Sequence, residues 1–128
     1  MEHKKYEGGV YRICKSFRFS AAHHLPLMPD GHKCKRLHGH NYEVRVWLEA
    51  RELDSNGMVR DFADLKVFKS WLNSMYDHRC INEVLTGVHP TAENLARHFY
   101  EHIRDRFPVV KVRVYETDGA YAEYFRPE

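Results

Sequence analysis

The sequence has no apolar run near the roughly 18–20 residues that cross a bilayer as a helix, and its mean hydropathy is −0.65. A helical membrane span is therefore excluded, and no membrane partner is expected. Charge of neither sign is in excess: Lys plus Arg is 20 and Asp plus Glu is 18, a net charge of +2. Nucleic-acid binders carry a basic surplus on one face, so no nucleic-acid partner is expected. Cysteine is scarce and odd in number, at three, with no CxxC spacing. That excludes a disulfide framework and makes a reducing cytoplasm the expected location. There is no repeat, low-complexity tract or Pro/Gly/Ser-rich linker, and no apolar core follows Met1 to Lys5, so no secretory leader is expected. A chain of 128 residues suits one domain, expected to span 1–128 with residues 1–8 as a flexible tail.

What remains is strongly patterned. Residues 10–20 are aromatic and β-branched, with Tyr11, Ile13, Phe17 and Phe19 on one face and Lys15 breaking the pattern. Cys14 in this stretch reads as core filler. A long loop follows, with Pro26, Pro29 and Gly31 as breakers. Residues 41–50 alternate cleanly: Tyr42, Val44, Val46 and Leu48 face one way, Glu43, Arg45, Trp47 and Glu49 the other. Residues 61–76 predict a helix capped by Asp61, with Phe62, Leu65, Phe68, Leu72 and Met75 at helical spacing. Thr91 after Pro90 predicts a second cap, before a stripe of Leu95, Ala96, Phe99 and Ile103. Residues 109–116 alternate through Val110, Val112 and Val114, Gly119 marks a turn, and 121–126 supply a last strand. The order β-β-α-α-β-β predicts an α+β domain, an antiparallel sheet with two helices on one face.

Histidine is the outlier, with ten copies. His38 and His40 precede the clean strand and share parity with its apolar face; His23 shares the parity of Phe17 and Phe19 if the first strand stays extended. Half-buried neutral imidazoles converging from two strands are suited to a metal, and three with an open fourth position form the usual catalytic zinc site. The bland alternative is a chance HxH in a histidine-rich chain. His3, His32, His89, His98 and His102 read as tail, loop or helix-surface residues.

Cys34 lies within His32-Lys33-Cys34-Lys35-Arg36, where fixed cations favour the thiolate. Beside a metal it suits a general base; a fourth zinc ligand and a bystander in a solvated basic loop are the alternatives. Cys80 reads as structural. Asp77-His78 follows the first predicted helix and can form a polarised acid/base pair, although a histidine there also suits the helix dipole. Glu116 continues the Val110, Val112, Val114 face, so a carboxylate stands where an apolar residue is expected. Such a group needs a partner. A ligand with two adjacent N–H donors would provide one, and a strand end already in solvent is the alternative.

Phe19-Ser20-Ala21-Ala22-His23, Cys34-x-x-Leu37-His38-Gly39-His40-Asn41-Tyr42, Asp77-His78, Pro90-Thr91-Ala92-Glu93-Asn94 and Glu116-Thr117, in that order, resemble the 6-pyruvoyltetrahydropterin synthase family. Gly57-Met58-Val59-Arg60-Asp61-Phe62 also fits. Three residues separate Cys34 from His-Gly-His, as in the bacterial 6-carboxy-5,6,7,8-tetrahydropterin synthase branch. The resemblance implies a tunnelling fold whose four-stranded sheets close into a barrel on oligomerisation, commonly a hexamer. It implies zinc on His23, His38 and His40, Cys34 as base, and Asp77 and His78 as a proton relay contributed across a subunit interface. Glu116 would anchor the pterin edge with Thr91 nearby, and Lys33, Lys35 and Arg36 are candidates for a triphosphate. Arg79 departs from close bacterial relatives, which often carry a second histidine there. The implied reaction turns 7,8-dihydroneopterin triphosphate into 6-carboxy-5,6,7,8-tetrahydropterin, acetaldehyde and triphosphate, on the route to 7-deazaguanines and queuosine. The pyruvoyl reaction on the same site is the nearest alternative; a zinc hydrolase and a structural zinc module are more distant ones.

Overall fold

The computed structural model describes residues 8–127. The expected tail lies outside the described residues except for Gly8. Strand β1 (Tyr11–His23) runs antiparallel to β2 (His38–Ala50) in unbroken register, from Tyr11 opposite Ala50 to His23 opposite His38. Helix α1 (Lys66–Met75) follows, then a two-residue strand β3 (Arg79–Cys80) and a one-turn helix α2 (Ile81–Val84). Helix α3 (Ala92–Ile103) and the hairpin β4 (Val109–Thr117) and β5 (Ala120–Phe125) complete the order. The sheet is mixed, in the order β3-β1-β2-β4-β5, with β3 parallel to β1 and the other pairs antiparallel.

The alternating residues build the core as their parity dictates. Phe17, Phe19 and Ala21 of β1, Tyr42, Val44, Val46 and Leu48 of β2, and Val112 and Val114 of β4 are buried on one face. Phe68 and Leu72 from α1, and Leu95, Ala96, Phe99 and Ile103 from α3, cover them. Burying a side chain of this size contributes about 1.5–3 kcal/mol, and the rings interlock: Phe17 meets Phe68 edge-on at 5.1 Å, and Phe19 stacks on Tyr42 at 4.9 Å. Among the described residues no helix is long and apolar enough to cross a membrane.

The structure departs from expectation at several points; Phe62 and Met75, expected on the buried stripe, are exposed, and a register shift opposite Trp47 and Leu48 buries Val109 rather than Val110. A fifth strand, β3, joins the sheet; two residues are too few to show a period, and the outer edge of β1 recruits them, His78 N–H donating to Ser20 O at 2.6 Å. The helix predicted over 61–76 begins as a 3-10 turn, Phe62–Leu65, with the Asp61 carboxylate accepting from Ala63 N at 2.9 Å. Cys14 is exposed, because its parity turns it to the face away from the helices, where Trp47 is its cross-strand neighbour. His98, expected as a plain surface residue, is half-buried with its ring 5.6 Å from that of Trp71, while His102 is exposed as expected and stacks on Trp71 at 3.7 Å.

Candidate metal centre and active site

The end of β1 and the start of β2 bring the motif histidines together. His23 and His38 are direct cross-strand neighbours, and His40 stands opposite Ala21, two residues along the same face. The ring centroids lie 4.6 to 5.0 Å apart. One nitrogen of each ring falls within 4.8 Å of the others.

The backbone fixes the tautomers. His23 Nδ1 lies 2.7 Å from Pro90 O, and His38 Nδ1 lies 2.8 Å from Arg36 O. A carbonyl only accepts, so each Nδ1 carries the proton and donates, and each neutral Nε2 is left with a bare lone pair. Those two Nε2 atoms sit 3.0 Å apart. Two lone pairs at that distance repel unless a cation lies against both. Burial acts in the same direction. His23 is 1% exposed, and desolvation lowers its pKa, partly countered by the Pro90 carbonyl and the Glu116 charge. Desolvation also lowers the pKa of His40. Neutral rings with aimed Nε2 atoms and carbonyl-anchored Nδ1–H groups are what a bound metal ion requires. The donor set fits zinc.

The three rings open into a cavity of ≈ 380 Å³, also lined by Leu25, Lys33, Cys34, Glu116 and Thr117. Cys34 sits in a 3-10 turn, Lys33–Lys35, whose preceding residue His32 accepts from Cys34 N–H at 3.1 Å. Its carbonyl takes Leu25 N–H at 2.8 Å, which pins the loop beside the site. Cys34 is outside the three-histidine cluster, an arrangement that suits a base better than a fourth ligand. Lys35 is engaged by Asp30, leaving Lys33 as the cation that lines the cavity. Glu116 faces the same space at 33% exposure, its Oε2 3.8 Å from His23 Nε2.

Asp77 and His78 are not brought into this cavity. They stand where α1 ends and the chain reverses through His78 at φ 61°, a left-handed conformation that histidine adopts more readily than most residues. Ser20 N–H donates to Asp77 Oδ1 at 2.9 Å, and Asp77 Oδ2 lies 3.0 Å from His78 Nδ1. The Ser20 N–H holds the Asp77 carboxyl below its ordinary range, and His78 adds to the effect. The His78 ring is 81% exposed and lines a second, open cavity of ≈ 480 Å³ that shares only His40 with the first. Thr91 lines neither cavity; its hydroxyl caps α3, accepting from Asn94 N–H at 3.2 Å.

Two contributors had little or no signal in the sequence. Tyr42 places its hydroxyl 3.3 Å from His23 Nδ1, and burial pushes the phenol pKa up. Its parity with His38 and His40 was the available clue. The Pro90 carbonyl offers no side chain to read.

Residues 12–127 match the family model described as 6-pyruvoyl tetrahydropterin synthase. The chain belongs to the 6-pyruvoyl tetrahydropterin synthase family. A relative from Synechocystis sp., named 6-carboxy-5,6,7,8-tetrahydropterin synthase, is 37% identical over 125 residues, covering 92% of this chain and 95% of its own. One of the same name from Bacillus subtilis is 30% identical over 131 residues, covering 92% and 86%. The solved structure of Caenorhabditis elegans 6-pyruvoyl tetrahydropterin synthase superposes with a TM-score of 0.79 at 30% identity, covering 92% of this chain and 96% of that one. The α+β architecture is thus the family's tunnelling fold, and the three-histidine cluster lies within the matched span.

Proposed function

We propose that this chain, as one tunnelling-fold domain, catalyses the zinc-dependent conversion of 7,8-dihydroneopterin triphosphate to 6-carboxy-5,6,7,8-tetrahydropterin, releasing acetaldehyde and triphosphate. This is a carbon–carbon lyase step that serves 7-deazaguanine and queuosine synthesis in the cytoplasm. The observation that carries the reading is the pair of bare Nε2 atoms 3.0 Å apart in a cavity that Cys34 also lines. The names of the Synechocystis and Bacillus relatives support the carboxy product.

His23, His38 and His40 would hold the ion, which when bound supplies Lewis acidity to the hydroxyl-bearing side chain of the substrate. Cys34 removes a side-chain proton from within the cavity. Glu116 accepts from the 2-amino and ring N–H edge of the pterin and so sets the orientation of the side chain toward Cys34. Thr91 stands beside the Pro90 carbonyl that fixes His23. Asp77 polarises His78, which moves protons on the opposite side of the substrate. Because His78 and Cys34 line different cavities within one chain, the relay reaches substrate held by a neighbouring copy. The sheet supports such assembly: β5 is an edge strand, and among the described residues β3 covers β1 only at Ala21 and Ala22. Edge pairing between copies would close the sheets into a trimeric or hexameric barrel and remove both edges.

The test is incubation of zinc-loaded protein with 7,8-dihydroneopterin triphosphate and identification of products by mass spectrometry. The 6-carboxy pterin with acetaldehyde is expected. A 6-pyruvoyl product would establish the second reading, which the likeness to the Caenorhabditis elegans enzyme favours. Unchanged substrate would overturn both.

A further inference from the structure

We infer that Asn82 is a positioning residue for the metal centre: its side-chain amide completes the parallel β3–β1 ladder at His24 and fixes the strand end that carries His23. The inference rests on the metal reading of the three-histidine cluster. The ladder pairs Ala21 with Arg79 and Ala22 with Cys80. Continued in the same register, it would pair His24 with residue 82. The backbone does not continue, because the chain turns into α2 at Ile81, whose side chain is fully buried. At that rung the Asn82 side chain takes the place of a peptide. Its Oδ1 accepts from His24 N–H at 3.0 Å and its Nδ2 donates to His24 O at 3.0 Å, across the 58-residue offset that the strand pairs also have. A primary amide presents the same acceptor and donor as a peptide group, so the substitution is chemically complete. The Cys80 thiol makes a weak additional contact to the same oxygen at 3.8 Å.

The placement matters because His23 is the last residue of β1, and its final partner in β2 is His38. Without Asn82, His24 would have no tie on the β3 side, and the backbone of a metal ligand would sit next to a fraying end. With it, His23 is flanked by Cys80 pairing at Ala22 and by the two amide bonds at His24, while the Pro90 carbonyl orients the ring. The same clamp continues to Asp77, which accepts from Ser20 N–H at 2.9 Å. The outer edge of β1 from Ser20 to His24 is thus held by one segment, 77–82.

The test uses the full chain with zinc and cobalt(II) as probes. Asn82→Ala is expected to weaken zinc binding about tenfold in chelator competition, the lower end of what supporting hydrogen bonds contribute to metal sites. It is also expected to alter the visible bands of the cobalt(II)-substituted protein, which report ligand geometry. Asn82→Asp keeps an acceptor for His24 N–H but sets a second acceptor oxygen against His24 O, and should weaken zinc binding at least as much as Asn82→Ala. Ile103→Val, a buried change at the end of α3, should lower stability and leave zinc affinity and the cobalt bands unmoved. Wild-type zinc affinity and cobalt bands in Asn82→Ala would overturn the inference, as would an equal loss of affinity in Ile103→Val. If Asn82→Ala does not fold, Asn82→Asp decides alone, and wild-type behaviour in it is the overturning result. A wild-type protein that binds neither metal would overturn the metal reading itself, and the positioning role with it.

Discussion

The three-histidine cavity and the Asp77–His78 edge share His40 yet are built in opposite ways. In the first, His23 is almost wholly buried, its pKa is lowered by desolvation, and backbone carbonyls fix the proton on Nδ1 of His23 and His38. In the second, the His78 ring is exposed beside an ionised Asp77. Burial yields neutral rings with fixed lone pairs, which is what a ligand needs. Exposure leaves the His78 ring open to a group outside its own fold, with the Asp77 carboxylate against its Nδ1. The first is assembled within one chain; His78 lines a different cavity from Cys34.

The comparison breaks most severely at a ligand. His23→Ala should abolish stoichiometric zinc binding, while His24→Ala, one residue past the end of β1 and of opposite parity, keeps it; metal analysis of the purified variants gives the answer. Equal zinc in the two would contradict the assignment. Next in size is Cys34→Ala, which should retain zinc and lose about 10²–10⁴-fold in turnover, the usual contribution of a general base. Loss of zinc would make the thiol a ligand, and near-normal turnover would make it a bystander.

Glu116→Gln should cost less. It exchanges one acceptor oxygen for a donor that would face a ring N–H. A charge-assisted hydrogen bond contributes roughly 1.5–3 kcal/mol, so pterin affinity should fall about ten- to hundredfold in a binding titration. An unchanged dissociation constant would remove Glu116 from the pterin edge.

The smallest effect concerns histidines outside both cavities. His98 and His102 have pKa values lowered chiefly by burial, His98 further by the proximity of His102. Asp105 opposes the shift at His102 and Arg106 adds to it. A depressed folded pKa means that the unfolded chain binds protons first as pH falls. Their contribution to stability is therefore intact above the ordinary value of 6.5 and is lost as pH drops below it through the folded values. Denaturant unfolding of zinc-loaded protein should show the decline, and His98→Leu should flatten it. The same slope in both proteins would exclude His98 as a source.

The legible features were those carried by period and spacing. Alternation placed Tyr42, Val44, Val46 and Leu48 in the core, and the same parity, extended backward, joined His38 and His40 to His23. Thr91 and Asp61 marked helix starts because their caps act within three residues. The basic loop around Cys34 and the parity of Glu116 with Val112 and Val114 mark both residues, the motif resemblance agrees, and both line the cavity. What stayed hidden was set by tertiary contact. Strand β3 exists because the edge of β1 recruits it, and Asn82 completes its ladder only because Ile81 is buried. The Pro90 carbonyl that fixes the His23 tautomer has no side chain to announce it. At Cys14 parity outweighs residue type, placing it with Arg12 and Ser16 on the exposed face.

The most direct test of the division between the two regions is subunit mixing. Cys34→Ala and His78→Ala are each expected to be inactive alone. Refolded together in equal amounts and shown by mass spectrometry to co-assemble, they should regain activity. About a quarter of interfaces would then join an intact Cys34 to an intact His78, for independent pairing around a cyclic assembly. Mixed assemblies as inactive as either parent would contradict the account, placing the cysteine and the Asp77–His78 pair at work within a single chain.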